Sequence, residues 1–141
     1  MRTPDPVVLD ASALLTYLQD EPGADAVEAL LATGNVWMNL VNLGAITSIV
    51  ERGRGSVAAD QLFVEATNDA GFGEQPPLHW APLGPPLVRE AARLKAAGGL
   101  SFAGAFAAAT AILLEAEVVV LRHDAEFEVA AERGVRVRWI G

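Results

Sequence analysis

Val7-Val8-Leu9-Asp10-Ala11-Ser12-Ala13-Leu14 is the stretch whose reading decides the fold. Val7, Val8 and Leu9 form the short, β-branched apolar run of a buried parallel strand, and the run passes through an acid straight into a helix-like segment, Ala11–Leu18. An acid at the carboxyl end of a strand lies beside the crevice where open α/β sheets take their ligands. Asp is equally a good helix N-cap, so on this residue alone both readings of Asp10 stay open.

The same alternation continues outward. Pro22-Gly23 breaks the chain, and Ala24–Leu31 resumes as a helix with Val27, Leu30 and Leu31 at helical spacing. Asn35–Met38 reads as a brief strand. Asn39 then caps a helix through Val50, with Leu40, Leu43, Ile46, Ile49 and Val50 as its apolar stripe. Gly53 and Gly55 stop it, and Ser56 is expected to cap a partner helix from Val57 to about Asp69, making a helical hairpin. After the Gly71–Pro77 loop, Leu78-His79-Trp80 reads as a strand, and Gly84-Pro85-Pro86 opens a helix to Ala97. Ser101 caps the next, Phe102–Ala116, whose Ala-rich composition implies burial on most sides. Val118-Val119-Val120-Leu121 is a strand ending at Arg122-His123-Asp124, so a second acid stands at a strand's end. A helical turn, Ala125–Ala131, and a strand, Val135–Ile140, close the chain. Strands alternating with helices imply an α/β protein with a central, mostly parallel sheet and helices on both faces. With no internal repeat or composition break, residues 1–141 read as one domain.

Composition narrows the function. Without Cys there is no disulfide framework, zinc knuckle, iron–sulfur cluster or thiol nucleophile, and two His do not make a histidine-rich metal site. Oxygen ligands remain. A net charge of −8, from 18 Asp and Glu against 10 Lys and Arg, argues against coating nucleic acid by charge alone and fits a cation or a basic partner. The first apolar run meets Asp10 after three residues, too soon for a signal-peptide core, and no stretch approaches the ~20 apolar residues of a membrane helix, so a cytoplasmic protein is expected.

Four spaced pieces resemble the PIN-domain family, with the closest likeness to VapC-type toxins: Val8–Leu14, Val41-Asn42-Leu43-Gly44-Ala45, Leu100-Ser101-Phe102-Ala103-Gly104-Ala105-Phe106 and Asp124-Ala125-Glu126-Phe127. The Glu21–Ala24 break and the Val137–Ile140 tail extend the likeness over nearly the whole chain. The resemblance implies a three-layer α/β/α domain and a Mg²⁺-dependent endoribonuclease, with Mn²⁺ as an alternative ion. It also implies a homodimer and a small antitoxin that neutralises it. Its site is a set of four acids at the strand ends, because Mg²⁺ prefers oxygen ligands and a bound metal activates water and stabilises charge on a phosphate.

Residue by residue the match is incomplete. Asp10 corresponds to the family's first acid and Asp124 to its late one, while Ala45 and Gly104 stand where the resemblance calls for Glu and Asp. Glu51, six residues past Ala45, points some 120° off that face, and Glu115 lies roughly 16 Å along the helix from Gly104, so neither substitutes. Glu126 is the local choice for a third carboxylate, against the plainer reading of a solvated acid at a helix start. Gly104 costs its helix about 0.5–1 kcal/mol relative to Ala. Close helix packing or drift is the favoured reading for it, and an opening left for a ligand or partner group is the alternative. Ser12 resembles the family's small hydroxyl residue near the metal, against the plainer reading of a Ser at a helix start, and Arg122 is a candidate phosphate contact beside the site, against the plainer reading of a solvated Arg. Ser101 reads as an N-cap only, and Arg52 and Arg54 as solvated. With two acids missing, metal is expected to be held weakly or not at all, and ribonuclease turnover to be weak or lost. The rival is a non-catalytic PIN-fold binding module, an antitoxin decoy, dimerisation partner or scaffold, using the Asn39–Asp69 hairpin and exposed residues such as Tyr17 and Trp37.

Other chemistries fail on residues. A haloacid-dehalogenase-type phosphatase needs a second Asp where Ser12 stands, a response-regulator receiver needs a late Lys after a strand, and no G-x-S-x-G, P-loop or G-x-G-x-x-G occurs.

Overall fold

A computed structural model describes residues 4–121 and 125–141. In chain order the elements are β1 (Val7–Leu9), α1 (Ala11–Leu18), α2 (Ala24–Leu31), β2 (Val36–Met38), α3 (Leu40–Arg54) and α4 (Ser56–Thr67), followed by β3 (His79–Trp80), α5 (Pro85–Ala96), α6 (Phe102–Leu114), β4 (Glu117–Leu121), α7 (Glu126–Glu132) and β5 (Val137–Ile140). The strands form one sheet in the order β3-β2-β1-β4-β5, and each neighbouring pair is parallel. The chain steps from β1 to β2 to β3 in one direction and then returns to the other side of β1 with β4. The order therefore reverses between β1 and β4, which places Asp10 at the switch point where doubly wound sheets open their ligand crevice.

The strand period sorts the core into two layers. Val8, Val118 and Val120 pack with α5, α6 and α7 through Leu87, Leu94, Phe106 and Phe127. Their strand neighbours Val7, Leu9 and Val119 pack on the opposite side with Leu14, Val27, Leu43, Ile46 and Leu62. Val8 pairs with Val118 and Leu9 with Val119, so each face of the sheet presents a continuous apolar patch. The α/β/α architecture follows from a sheet apolar on both faces.

Helix α6 is the most enclosed, with every residue from Gly104 to Ala111 buried. Ala side chains let α3 approach it closely enough for direct polar pinning. Asn39 Nδ2 donates to the Phe106 carbonyl at 3.1 Å and to Thr110 Oγ1 at 2.9 Å, and Asn42 Nδ2 donates to the Ala103 carbonyl at 3.0 Å.

Several boundaries differ from the sequence reading. Helix α3 runs four residues past Val50, because Arg52 and Arg54 are good helix formers set against the negative end of the helix dipole. Ser56 is the first residue of α4 and not its cap. Gly55, with φ 91°, both ends α3 and begins α4, and it is the one residue between them. Helix α6 stops at Leu114, where Glu115 turns to φ 52°. Tyr17 and Trp37 are half-buried, contrary to the exposure expected of them: Tyr17 packs against Phe72 with ring centroids 6.2 Å apart, and Trp37 stacks on His79 at 5.0 Å. Among the described residues, no helix is long and apolar enough to cross a membrane.

Candidate functional site

Beyond the carboxyl end of β1, a cleft of about 240 Å³ opens between the starts of α1, α6 and α7 and the side of α3. Asp10, Ser12, Asn42, Ala45, Ser101, Gly104 and Glu126 all line it. A larger hollow, of about 510 Å³, lies beside Glu115 and Arg136, away from the carboxyl end of β1.

Asp10 caps α1 and also borders the cleft. Its Oδ1 accepts the Ala13 N–H at 2.9 Å as the N-cap of α1, while the carboxylate, 5% exposed, still borders the cleft. Ser12 sits one step into the helix and its hydroxyl is 2.9 Å from both Oδ1 and Oδ2. It therefore holds the orientation of Asp10.

Glu126 lies at the first position of α7, anchored by Phe127, whose ring is fully buried beneath the sheet. Its carboxylate turns back across the start of α6. Oε1 accepts from the Ser101 N–H at 3.2 Å and from the Ser101 hydroxyl at 2.9 Å, and the same hydroxyl accepts the Gly104 N–H at 3.0 Å. Ser101 caps α6, as its sequence reading has it, and also holds the carboxylate of the half-buried Glu126 over the helix. Gly104 is a point of close approach, and the group that approaches it is a side chain of α7. A Cβ at Gly104 would stand 1.7 Å from Glu126 Oε1 and 2.8 Å from its Cδ, so the space above this glycine belongs to an acid.

On the α3 wall, Ala45 is half-buried and carries no polar group into the cleft. One turn earlier stands Asn42, 1% exposed, which the sequence reading passed over. Its Nδ2 is committed to the Ala103 carbonyl, an acceptor that fixes which end of the amide is nitrogen, and its Oδ1 is a buried atom with no hydrogen-bond partner. The available signal was spacing, since Asn42 and Ala45 are three apart on one helix face. Glu51 is exposed, and Glu115 borders the larger hollow away from this cleft, as their positions on the helices required. Arg122, His123 and Asp124 lie outside the described residues.

The donor set fits a hard cation. Two acids, two Ser and the buried Asn42 border one cleft with no His or Cys among the described residues that line it, the ligand chemistry of Mg²⁺ or Mn²⁺ and not of Zn²⁺. Among the described residues no three His, Cys, Asp or Glu side chains cluster tightly enough to hold a metal ion by themselves. The chain matches the PIN domain family over residues 7–133. It belongs to the PIN-domain family.

Solved PIN structures share the fold at low identity. FitAcB from Neisseria gonorrhoeae superimposes with a TM-score of 0.62 at 18% identity, covering 93% of this chain and 95% of the other. VapBC2 from Rickettsia felis, solved bound to a DNA fragment from its promoter, gives 0.68 at 13% identity, covering 96% and 98%. DNA-bound VapBC from Salmonella typhimurium gives 0.65 at 14%, again covering 96% and 98%. No curated protein matches the chain. The PIN fold expected from four short pieces is therefore present end to end, with a cleft at the expected strand ends.

Proposed function

We propose that this PIN domain is a divalent-metal-dependent endoribonuclease of the VapC toxin type, working slowly because its α3 wall lacks a carboxylate at Ala45. The observation that carries the reading is the meeting of Asp10 and Glu126 in one cleft at the switch point of the sheet. Asp10 and Glu126, with Asp124 beside them in sequence, would hold Mg²⁺ or Mn²⁺. When bound, the ion supplies an activated water and charge stabilisation at a phosphodiester.

The chain's own residues prepare the site. Ser12 and the Ala13 N–H fix Asp10, and Ser101 fixes Glu126, so neither acid loses side-chain freedom on binding a cation. Arg122, two residues before Asp124, and the Ser12 hydroxyl would contact RNA phosphates. A small antitoxin partner and a homodimer belong to the same proposal, and the solved relatives FitAcB and VapBC2 support it by fold.

A second reading, a binding module without catalysis, is favoured by the apolar residues that the α3–α4 hairpin exposes, with Val57 at 73%, Val64 at 63% and Phe63 at 47%. The deciding experiment is RNA cleavage with and without Mg²⁺ or Mn²⁺ by the wild type and by Asp10→Asn, which keeps the cap oxygen of α1. Metal-dependent cleavage that falls with Asp10→Asn supports the nuclease. No cleavage with either ion, together with stable capture of a co-expressed antitoxin, supports the binding module.

A further inference from the structure

We propose that Glu126 is a relocated ligand: its carboxylate occupies the space of a side chain at position 104, so that a divalent-cation site is rebuilt from α7, with Gly104 as the residue that makes room and Asn42 Oδ1 as a neutral oxygen on the facing wall. The inference rests on the metal-dependent reading above and goes beyond it by tying Glu126 to the missing side chain at Gly104 and by adding Asn42 Oδ1.

Three observations converge. The first is steric: with Glu126 where it lies, a Cβ at Gly104 would stand 1.7 Å from its Oε1, so the carboxylate would have to leave that space. The second is the hydrogen-bond pattern at the start of α6. In a capping box the N-cap hydroxyl takes the N–H three residues on, and an acid at that third position reaches back to the N-cap N–H. Here Ser101 Oγ takes the Gly104 N–H, but the acid that reaches the Ser101 N–H is Glu126, from another helix. Glu126 thus performs for α6 what an acid at position 104 would perform. The third is the facing wall. Asn42 is buried, borders the same cleft, and its Oδ1 has no hydrogen-bond partner, although a buried acceptor left unpaired costs about 1–3 kcal/mol. A cation, or a water held by one, removes that penalty.

The arrangement leaves a free ligand atom. Both hydrogen bonds of Glu126 use Oε1, so among the described residues Oε2 is uncommitted. Pinning one oxygen while leaving the other open is how an acid is held in place for a metal, and a plain helix cap needs only the first half of it.

The test is Mn²⁺ binding to the purified protein, by calorimetry and by the loss of the free Mn²⁺ spin-resonance signal, with thermal melting as the folding control. Glu126→Gln preserves size and the Oε1 acceptor, so it should melt near the wild type while its Mn²⁺ dissociation constant rises at least about tenfold. Glu126→Ala should lose at least as much affinity and, because it empties the space over position 104, adding Gly104→Asp to it should recover most of that loss by returning a carboxylate there from α6. Wild-type binding that Asp10→Asn weakens but Glu126→Gln leaves within twofold overturns the relocation and spares the metal reading. A wild type that binds no Mn²⁺ overturns both.

Discussion

Gly104→Ala separates a glycine kept for an acid from a glycine that drifted into a helix. On helix propensity alone the change should stabilise the protein by about 0.5–1 kcal/mol, because Gly in a helix costs that much relative to Ala. The structure reverses the sign. The new methyl would stand 1.7 Å from Glu126 Oε1, 2.8 Å from its Cδ and 3.0 Å from Ser101 Oγ, so the carboxylate must swing away and give up both bonds to Ser101. Hydrogen bonds to a charged group contribute about 1.5–3 kcal/mol each when well enclosed. Ser101 is exposed and Glu126 half-buried, so about 1 kcal/mol apiece is the fitting figure. Losing about 2 kcal/mol and regaining 0.5–1 leaves a net destabilisation of about 1–1.5 kcal/mol, or some 3–6 °C in Tm. Urea denaturation of four proteins measures it: the wild type, Gly104→Ala, Glu126→Ala and the double variant. Once Glu126 is truncated the clash is gone, so Gly104→Ala should then stabilise by the ordinary 0.5–1 kcal/mol, a coupling of about 2 kcal/mol between the two sites. A single variant that is more stable than the wild type, or additivity within about 0.5 kcal/mol, refutes the steric argument.

Three further outcomes follow from the same geometry. Asp10→Ala removes the N-cap of α1 and should cost about 1–2 kcal/mol in chemical denaturation, whereas Asp10→Asn retains a capping oxygen and should cost under about 0.5 kcal/mol, so a metal-binding loss in Asp10→Asn is not a folding artefact. Asn39→Ala should cost about 2–4 kcal/mol, because this fully buried amide caps α3 through the Asn42 N–H and donates to both Phe106 O and Thr110 Oγ1; a loss under 1 kcal/mol by urea titration would show that α3 docks on α6 without it. Phe127→Ala should cost about 3–5 kcal/mol and loosen α7, so amide exchange at Ser101 should quicken as Glu126 loses its seat; unchanged exchange there would detach the ring from the site.

The architecture was legible because its signals are local and redundant. Val7–Leu9 and Val118–Val120 carry the apolar runs of strands buried on both faces, and Asn39, Ser101 and Gly84-Pro85 mark helix starts by chemistry that acts within four residues. Gly55 shows where that logic thins. Serine at position 56 has the right chemistry for a cap, but a left-handed glycine just before it already turns the chain, and no local rule ranks the two. The site was legible only in its local half. Asp10 could be read as cap and ligand from its place after a strand, and it is both placed at the cleft and bonded as a cap. Glu126 on Ser101, 25 residues away in sequence, and Asn42 on Ala103, 61 residues away, are contacts between elements that periodicity cannot pair.

That distinction changes how the missing acids are weighed. Counting motif positions, Ala45 and Gly104 are equivalent losses, two carboxylates gone from four. In space they are unequal. The place above Gly104 is filled by the Glu126 carboxylate, so that wall of the cleft keeps its negative charge and its oxygen donor, whereas on the α3 wall Ala45 is replaced by nothing charged and only the neutral Asn42 Oδ1 stands one turn away. An amide oxygen serves a hard cation as a ligand but adds no charge to hold it. The expected result is a site one charge short: Mn²⁺ or Mg²⁺ held more weakly than by a full set of acids, and RNA cut slowly. Because the deficit sits on one wall, Ala45→Glu alone should raise both metal affinity and cleavage. Gly104→Asp in the wild-type background should raise neither, since its side chain would contend with Glu126 for one space. Equal gains from the two substitutions would show that both positions are vacant and that Glu126 holds no metal.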